Sequence, residues 1–468
     1  MMSHSLQIQA CLDSLPPLWK GEPATDTSGA LEGRRHKLVV LDDDPTGTQT
    51  VHGIPVLTDW KVEQLRSEFE NDLPCFYLLT NSRSLPDHEA RQLTQSISRS
   101  LKQAAGNQHT FTVVSRSDST LRGHFPAETD VLQAELGPFD ATLLIPFFEA
   151  GGRYTIHDTH YVLQDDQLVP AAETPFAKDS VFGYQNSNLK AWVEEKTKGR
   201  VTSEEVHSLS LDCIRTKGPE GVLEQLRDLK NGTVCIVNAA HTADLNVVAK
   251  ACQQASKEGL RFLYRTGAQW VSSWLNLEPH IVRYSGTAEN EDSAGGLIIV
   301  GSYVPVSSRQ LSRLRGQPDL VEIECSVHDF LNETRCAERL KEIVLQMNEA
   351  LSLKKNVVIF TSRDLITQGS SQGDLNIGNQ VSHALVQIVK NLRLQPRFLI
   401  AKGGITSNDI ATHGLGVKRA MVLGQAHPGI PVWELGPETN YPGMHYIVFP
   451  GNVGTDDTLL HIYQKLNP

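Results

Sequence analysis

At 468 residues the chain is too long for one ordinary domain, and two domains of similar size with a short appendage are expected. A composition of 40% hydrophobic and 21% charged residues is that of a soluble globular protein, and a formal net charge of -11 argues against non-specific binding to nucleic acid or anionic membranes, while leaving room for a locally basic pocket. The seven cysteines, Cys11, Cys75, Cys213, Cys235, Cys252, Cys325 and Cys336, are scattered, odd in number and never form C-x-x-C, so reduced, mostly buried thiols and a cytoplasmic location are expected.

Residues 1–35 read as an N-terminal appendage. The stretch "SLPPLWKGEPATDTSGALEGRR" is rich in Pro, Gly, Ser and charge and is expected to be loosely ordered. The start lacks the basic segment and apolar core of a secretory signal, and no apolar run approaches the length of a membrane span. From residue 36 short β-branched or aromatic runs alternate with longer segments of helical period. The strands expected are "KLVVLD", "CFYLLTN", "FTVVSRSD", "TLLIPFF", "TVCIVNA" and "RFLYRTG", with helices such as "DHEARQLTQSISRSLKQAAG" and "DLNVVAKACQQASKEG" between them. Apolar runs bounded by turn signals predict parallel strands covered by helices on both faces. The rhythm breaks at "SGTAENEDSAGG", residues 285–296, which read as a linker. It resumes with strands "GLIIVGSY", "VVIFTS", "RFLIAKGG" and "HYIVFPGN" and the helix "NETRCAERLKEIVLQMNEALS". The fold class expected is α/β: two α/β domains with largely parallel sheets, 36–284 and 297–468, and a ligand cleft between them.

Polar residues cluster just after the predicted strands, where open parallel sheets bind their ligands. In the first half these ends read "DDDPTGT" (42–48), "TNSRSL" (80–85), "SRSDSTLRGH" (115–124) and "PFFEAGGRYTIHDTH" (146–160). Asp43, Asp44, Asp118, Arg83, Arg116, Arg122 and Arg153 lie in them. Guanidinium forks suit a carboxylate or phosphate, and carboxylates accept hydrogen bonds from sugar hydroxyls, so the set fits a small, anionic, hydroxylated substrate. The plainer alternative is a set of surface ion pairs and turn caps, less plausible for four clusters together than for one. In the second half "VGSYVPVSSRQ" (300–310), "AKGGITSNDIA" (401–411) and "FPGNVGTDDTL" (449–459) place Gly, Ser and Thr where helices begin. Such loops present backbone N–H groups to phosphates, or else simply cap helices; three in one domain favour nucleotide binding.

Other signals are weaker. No Walker-type P-loop is present, and "GLGVKR" (414–419) lacks the third glycine of a dinucleotide turn. His157 and His160 in "HDTH" could help bind a metal together with Asp158, but no second ligand cluster accompanies them. Asp42, Asp44 and Thr46 form D-x-D-x-T after an apolar strand, which resembles the nucleophile loop of haloacid-dehalogenase-type phosphatases, with "GTDDT" far downstream as the acidic pair.

Several segments together resemble one family. "DDDPTGTQT", "NSRSL", "SRSDSTLRGHF", "AKGGITSNDIA" and "FPGNVGTDDTL" are similar to the motifs of the four-carbon acid sugar kinase family, from about residue 36 to the end. The resemblance implies an N-terminal acid-sugar-binding domain and a C-terminal ATP-binding domain. It implies site roles for Asp43, Asp44, Thr46 and Gly47 on D-D-x-T-G, for Arg83, and for Asp118, Ser119, Arg122 and Gly123 on D-S-T-L-R-G. For ATP it implies Ser302, the loop Gly403, Gly404, Ile405 and Thr406, and Gly451. Many members have a lysine where Arg116 stands and an alanine where Asp42 stands, which leaves the identity of the sugar acid open.

The function expected is an ATP-dependent kinase for a tetronate or 3-oxo-tetronate, with Mg²⁺ accompanying ATP. Arg83, Arg116 and Arg122 would hold the substrate carboxylate. One of Asp43, Asp44 and Asp118, with Asp44 preferred, would orient the hydroxyl and accept its proton. The partners expected are a sugar acid and ATP, with a homodimer as the candidate assembly. The alternatives are the phosphatase reading, with Asp42 essential, and a non-catalytic sugar-acid or nucleotide sensor.

Overall fold

The computed structural model describes residues 6–21, 30–31, 34–283, 294–363 and 371–467. The chain divides into two compact units, Met1–Thr50 with Asp59–Glu278, and Val51–Thr58 with Pro279–Pro468.

The first unit is built on seven strands in the order His207–Leu209, Thr233–Val237, Ala141–Ile145, Phe262–Thr266, Thr110–Arg116, Arg34–Asp42 and Cys75–Leu79, with every neighbouring pair parallel. Both faces are covered, so the strands read as continuous apolar runs: Leu38 to Leu41, Cys75 to Leu79 and Leu143 to Ile145 are buried without alternation. The helix Asp87–Ala105 buries Ala90, Thr94, Ile97, Ser98, Leu101 and Ala105, the stripe a 3.6-residue period sets against the sheet. Acidic Asp87 and Glu89 occupy its first turn, and Gly106 at φ +54° ends it. Register then aligns the functional loops. Asp42 lies opposite both Leu79 and Arg116, and Arg116 lies opposite Thr266, so four strands end at one level.

A second sheet in this unit was not foreseen. Leu6–Gln7, Gln167–Pro170, Thr159–Gln164 and Arg153–Ile156 form four antiparallel strands. Residues 6–21, expected to be loosely ordered, therefore dock on the unit. Leu6 pairs with Leu168, Arg215 donates to the Pro16 carbonyl at 2.8 Å, and the Lys250 ammonium lies 5.8 Å from the centre of the Trp19 ring.

The second unit orders its strands Ile54–Leu57, Arg419–His427, Ile430–Leu435, His445–Phe449, Leu399–Lys402, Leu297–Val300, Asn356–Thr361 and Leu320–Cys325. The first three pairings are antiparallel and the rest parallel. Residues 51–58, grouped with the first domain from the sequence, cluster with this unit, where Ile54–Leu57 pairs with Arg419–His427. The core gathers Ile298, Val300, Val358, Phe360, Ile400 and Ile447 with the helical residues Leu311, Leu314 and Ile462. Of the linker expected at 285–296, residues 285–293 lie outside the described residues; Gly296 already belongs to the fold, its N–H donating to the Asn356 side chain at 2.7 Å. Among the described residues no helix is long and apolar enough to cross a membrane.

Candidate active site

The three acids that follow the Arg34–Asp42 strand find three different environments. Asp42 is 1% exposed. Arg116 donates to its Oδ1 at 2.9 Å, while Oδ2 is buried without a hydrogen-bond partner. A Cβ at residue 47 would stand 1.9 Å from that Oδ2, so the loop folds over the carboxyl because Gly47 has no side chain. Burial pushes the Asp42 pKa up to about 7 against the opposing charge of Arg116, with Asp43 and Asp44 adding to the rise.

Asp43 is equally buried and is gripped by a fork. Arg83 donates from Nε to Oδ2 at 3.2 Å and from Nη2 to Oδ1 at 2.5 Å, and the Ser117 hydroxyl donates to Oδ2 at 2.7 Å. Asp44 is different: its side chain is 22% exposed. Its Oδ2 accepts from Arg83 Nη1 at 3.2 Å, and its Oδ1 accepts from the Thr46 N–H at 2.8 Å and the Thr46 hydroxyl at 2.5 Å. Burial works to raise its pKa, but Arg83, Arg116 and Thr46 outweigh it and hold the carboxyl below its ordinary value. Asp118, 13% exposed, accepts from Arg122 Nε at 2.6 Å and from the Thr120 hydroxyl. Burial again opposes, and the charges of Arg83 and Arg122 prevail, lowering its pKa.

The structure thus brings Asp42, Asp43, Asp44, Thr46, Gly47, Arg83 and Arg116 into one network, with Asp118, Ser119, Arg122 and Gly123 in the adjoining loop. It changes the expected role of two arginines. Arg116 is 4% exposed and serves as counter-ion beneath the acids, so it presents no fork to a ligand. Arg83 is engaged on three of its nitrogens by Asp43 and Asp44. Sequence reasoning missed a second layer below them. Arg265 donates to Glu128 at 2.6 Å, to Ser115 at 2.7 Å and to Ser117 at 2.8 Å, and Glu128 also accepts from Ser82 at 2.5 Å. A charge near the end of the apolar run "RFLYRTG" was the available signal. Gly123, at φ +122°, closes over this layer: a Cβ there would lie 2.5 Å from Ser117 Oγ and 3.0 Å from Asp43 Oδ2.

The metal suggested at "HDTH" is not supported by geometry. His157 and Asp158, at φ +49° and +62°, form the turn of a hairpin, and His157 is exposed. His160 is fully buried, donates from Nε2 to the Ser119 carbonyl at 2.7 Å and accepts at Nδ1 from Thr155 at 3.0 Å. Burial lowers its pKa to about 4, so it stays neutral and ties the hairpin to the Asp118–Gly123 loop. Among the described residues no group of three or more His, Cys, Asp or Glu could hold a metal.

In the second unit three glycine loops end adjacent parallel strands. The loops after Leu297–Val300 and Leu399–Lys402 lead into the helices Pro305–Leu314 and Gly404–Asp409; the third follows His445–Phe449. Their contacts are close. The Ser307 hydroxyl lies 3.0 Å from the Ser302 hydroxyl and 2.8 Å from the Gly451 carbonyl. A Cβ on Gly451 would come 2.8 Å from Ser302 Oγ, one on Gly301 2.3 Å from Thr406 Oγ1, and Gly403 sits at φ +123°. Ser302, Gly403, Thr406 and Gly451 are therefore neighbours, with the missed Ser307 between two of the loops. Gly404 opens its helix, and the Ile405 side chain is 58% exposed beside it. Beneath them Lys402 is fully buried; its Nζ donates to the Pro450 carbonyl at 3.1 Å and lies 3.7 Å from the centre of the Phe449 ring, and burial lowers its pKa to about 7. "GLGVKR" runs into the strand Arg419–His427 rather than a helix, so it is no dinucleotide turn.

Two α/β units, one with acids and arginines at its strand ends and the other with glycine loops at helix starts, define a protein that binds a polar small molecule and a phosphorylated one. The comparisons narrow this. Residues 38–273 match the sugar-binding N-terminal domain and residues 297–459 the nucleotide-binding C-terminal domain of the four-carbon acid sugar kinases, and the chain belongs to this family. A Salmonella typhimurium LT2 protein whose name proposes a tRNA synthase shares the fold at a TM-score of 0.67 and 15% identity, over 91% of this chain and 98% of that one. Haemophilus influenzae protein HI1011 does so at 0.61 and 17%, over 91% and 99%. A search of curated proteins gave no match.

Proposed function

We propose that the chain is an ATP-dependent kinase that phosphorylates a hydroxyl of a small sugar acid of the tetronate or 3-oxo-tetronate type. The observation that carries this reading is the sorting of the acids. Asp42 and Asp43 are 1% and 2% exposed and lie against Arg116, Arg83 and Ser117, whereas Asp44 keeps a partly exposed, ionised carboxylate beside Thr46. An acceptor hydroxyl donating to Asp44 would be oriented for attack and could pass its proton there. A carboxylate with a depressed pKa is a weak base, but a loose phosphoryl-transfer transition state asks for little proton transfer until late. The phosphatase reading would need Asp42 as nucleophile. Its carboxyl is buried, and the proposed acidic pair, Asp456 and Asp457, instead makes surface ion pairs with Arg309 and Arg313 at 2.8 and 3.4 Å.

The glycine loops around Ser302, Gly403, Gly404, Ile405, Thr406 and Gly451 would hold the triphosphate through backbone N–H groups. Mg²⁺ would neutralise charge on that triphosphate and reach the protein mostly through it and through water. Catalysis then rests on positioning, with the sugar acid held by the first unit and the γ-phosphate presented by the second.

Asp44→Asn tests the assignment. Turnover should fall by about 10²–10⁴-fold, the usual range for loss of a positioned acid–base group, while ATP still binds. Turnover near that of the unmodified protein would remove Asp44 from the chemistry.

A further inference from the structure

Arg153 stands beside the Asp118–Gly123 loop, where Asp118 is paired with Arg122. It opens the strand Arg153–Ile156, and its guanidinium carbon lies 5.5 Å from the centre of the Phe176 ring. Its Nε is buried without a hydrogen-bond partner, and among the described residues its guanidinium makes no salt bridge. Arg122 sits over the same ring at 5.2 Å. Two guanidinium groups on one ring repel each other, and the ring offsets only a part of that. Asp118 is committed to Arg122 Nε at 2.6 Å, and Asp179 is 3.8 Å from Arg122 Nη1. Burial, reinforced by the charge of Arg122, lowers the Arg153 pKa in spite of Asp118.

The pair is also held in place. His160, on the strand that pairs with Arg153–Ile156, donates to the Ser119 carbonyl, and Tyr184 donates to the Thr120 carbonyl at 2.9 Å. The first bond fixes the Asp118–Gly123 loop that carries Arg122 against the hairpin that carries Arg153, and the second ties the same loop to the segment around Tyr184. A fixed, half-buried pair of like charges, one of which makes no ion pair among the described residues and has a buried Nε without a partner, is an arrangement that an incoming anion completes.

We propose that Arg153, with Arg122, forms the subsite for the substrate's carboxylate, and that Arg153 is the residue by which the protein selects a sugar acid over the neutral sugar alcohol of the same length. This rests on the sugar-acid reading above and revises it: the carboxylate goes to the Phe176 side of the site, because Arg83 and Arg116 are already occupied by Asp42, Asp43 and Asp44. The acid end and the reacting hydroxyl then have separate holders, Arg153 and Asp44.

The test uses the full chain and needs no turnover. Calorimetric titration with erythronate and threonate, without nucleotide, is compared with titration of the corresponding tetritols. The unmodified protein should bind at least one of the acids and prefer it to the alcohol. Arg153→Met should weaken acid binding on the order of 100-fold, the scale of charge-assisted hydrogen bonds, and abolish the preference, with Arg153→Lys recovering part of it. In turnover assays Arg153→Met should raise KM for the acid and leave kcat and KM for ATP within a few-fold. A structural role alone would instead lower the melting temperature and kcat together. Failure of the unmodified protein to bind either acid, or an unchanged preference in Arg153→Met, overturns the proposal. If the unmodified protein phosphorylates a sugar acid and Arg153→Met keeps its KM, this subsite falls and the kinase reading stands. If the acid binds through Arg153 and no ATP is consumed, the subsite stands and the kinase reading falls.

Discussion

Removing the Arg265 guanidinium should cost about 3–5 kcal/mol, the range for breaking one side of a buried ion pair. The side chains of Arg265 and Glu128 are 5% and 7% exposed and meet at 2.6 Å. In Arg265→Met, Glu128 keeps only Ser82 and becomes a buried anion without its cation, while Ser115 and Ser117 each lose a donor. Glu128→Gln in the same chain removes the stranded charge, so the double variant should recover about 1–3 kcal/mol relative to additivity. The assay is urea unfolding followed by tryptophan fluorescence. Five of the six tryptophans, Trp19, Trp60, Trp192, Trp270 and Trp274, lie in the first unit, so the signal reports mainly on it. Because Ser117 holds Asp43, the single variant should also lose activity under conditions where it is folded. A loss under 0.5 kcal/mol for Arg265→Met, or strict additivity in the cycle, would refute the claim that this layer supports the acids from below.

Three further outcomes follow from the same geometry. Gly47→Ala should destabilise the first unit by about 1–3 kcal/mol through collision with the Asp42 carboxyl, read as a lower urea midpoint; a midpoint within error of the unmodified protein contradicts the close approach. Lys402→Met should raise stability. Burial takes that lysine from 10.5 to about 7, so the folded state prefers it neutral, and the penalty grows as pH falls from 10 to 7 and is constant below. The gain in the variant should reach at most about 5 kcal/mol near and below pH 7 and shrink towards pH 10; a gain that instead increases with pH in melting curves would overturn the assignment. Gly404→Asp should weaken ATP binding before it affects sugar-acid binding, measured by separate titrations, because it sets a carboxylate at the start of a helix that would receive phosphate. Equal ATP affinity in that variant removes the loop from the nucleotide site.

Parallel strands buried on both faces announce themselves as unbroken apolar runs, which is why "KLVVLD", "CFYLLTN" and "RFLIAKGG" were legible as strands. The loops that follow them were legible for a related reason: Asp43, Arg83 and Asp118 interrupt the chain where a buried strand ends. Strands with weaker signals were missed. Arg153–Ile156, Thr159–Gln164 and Gln167–Pro170 are short and carry charged or polar residues, and their pairing with Leu6–Gln7 joins residues far apart in sequence. Ile54–Leu57 clusters with the second unit although it stands between segments of the first, because a four-residue strand whose partner, Arg419–His427, lies far along the chain leaves no mark in composition. Partners were the hardest to foresee. Nothing in "SRSDSTLRGH" says that Arg116 turns inward to Asp42 while Arg122 turns to Asp118; that choice is made by register against Arg34–Asp42 and by the two glycines, Gly47 and Gly123, that let loops close over carboxylates.

The most direct measurement is ADP release from MgATP by the full chain against tetronates, 3-oxo-tetronates and longer aldonates, with a no-acceptor control and Asp44→Asn alongside. Acceptor-dependent ADP release with a four-carbon acid is expected, falling by orders of magnitude in Asp44→Asn. ATP binding without ADP release for any acid would contradict it and point to a sensor, and phosphoester hydrolysis without ATP would return Asp42 to the centre of the site.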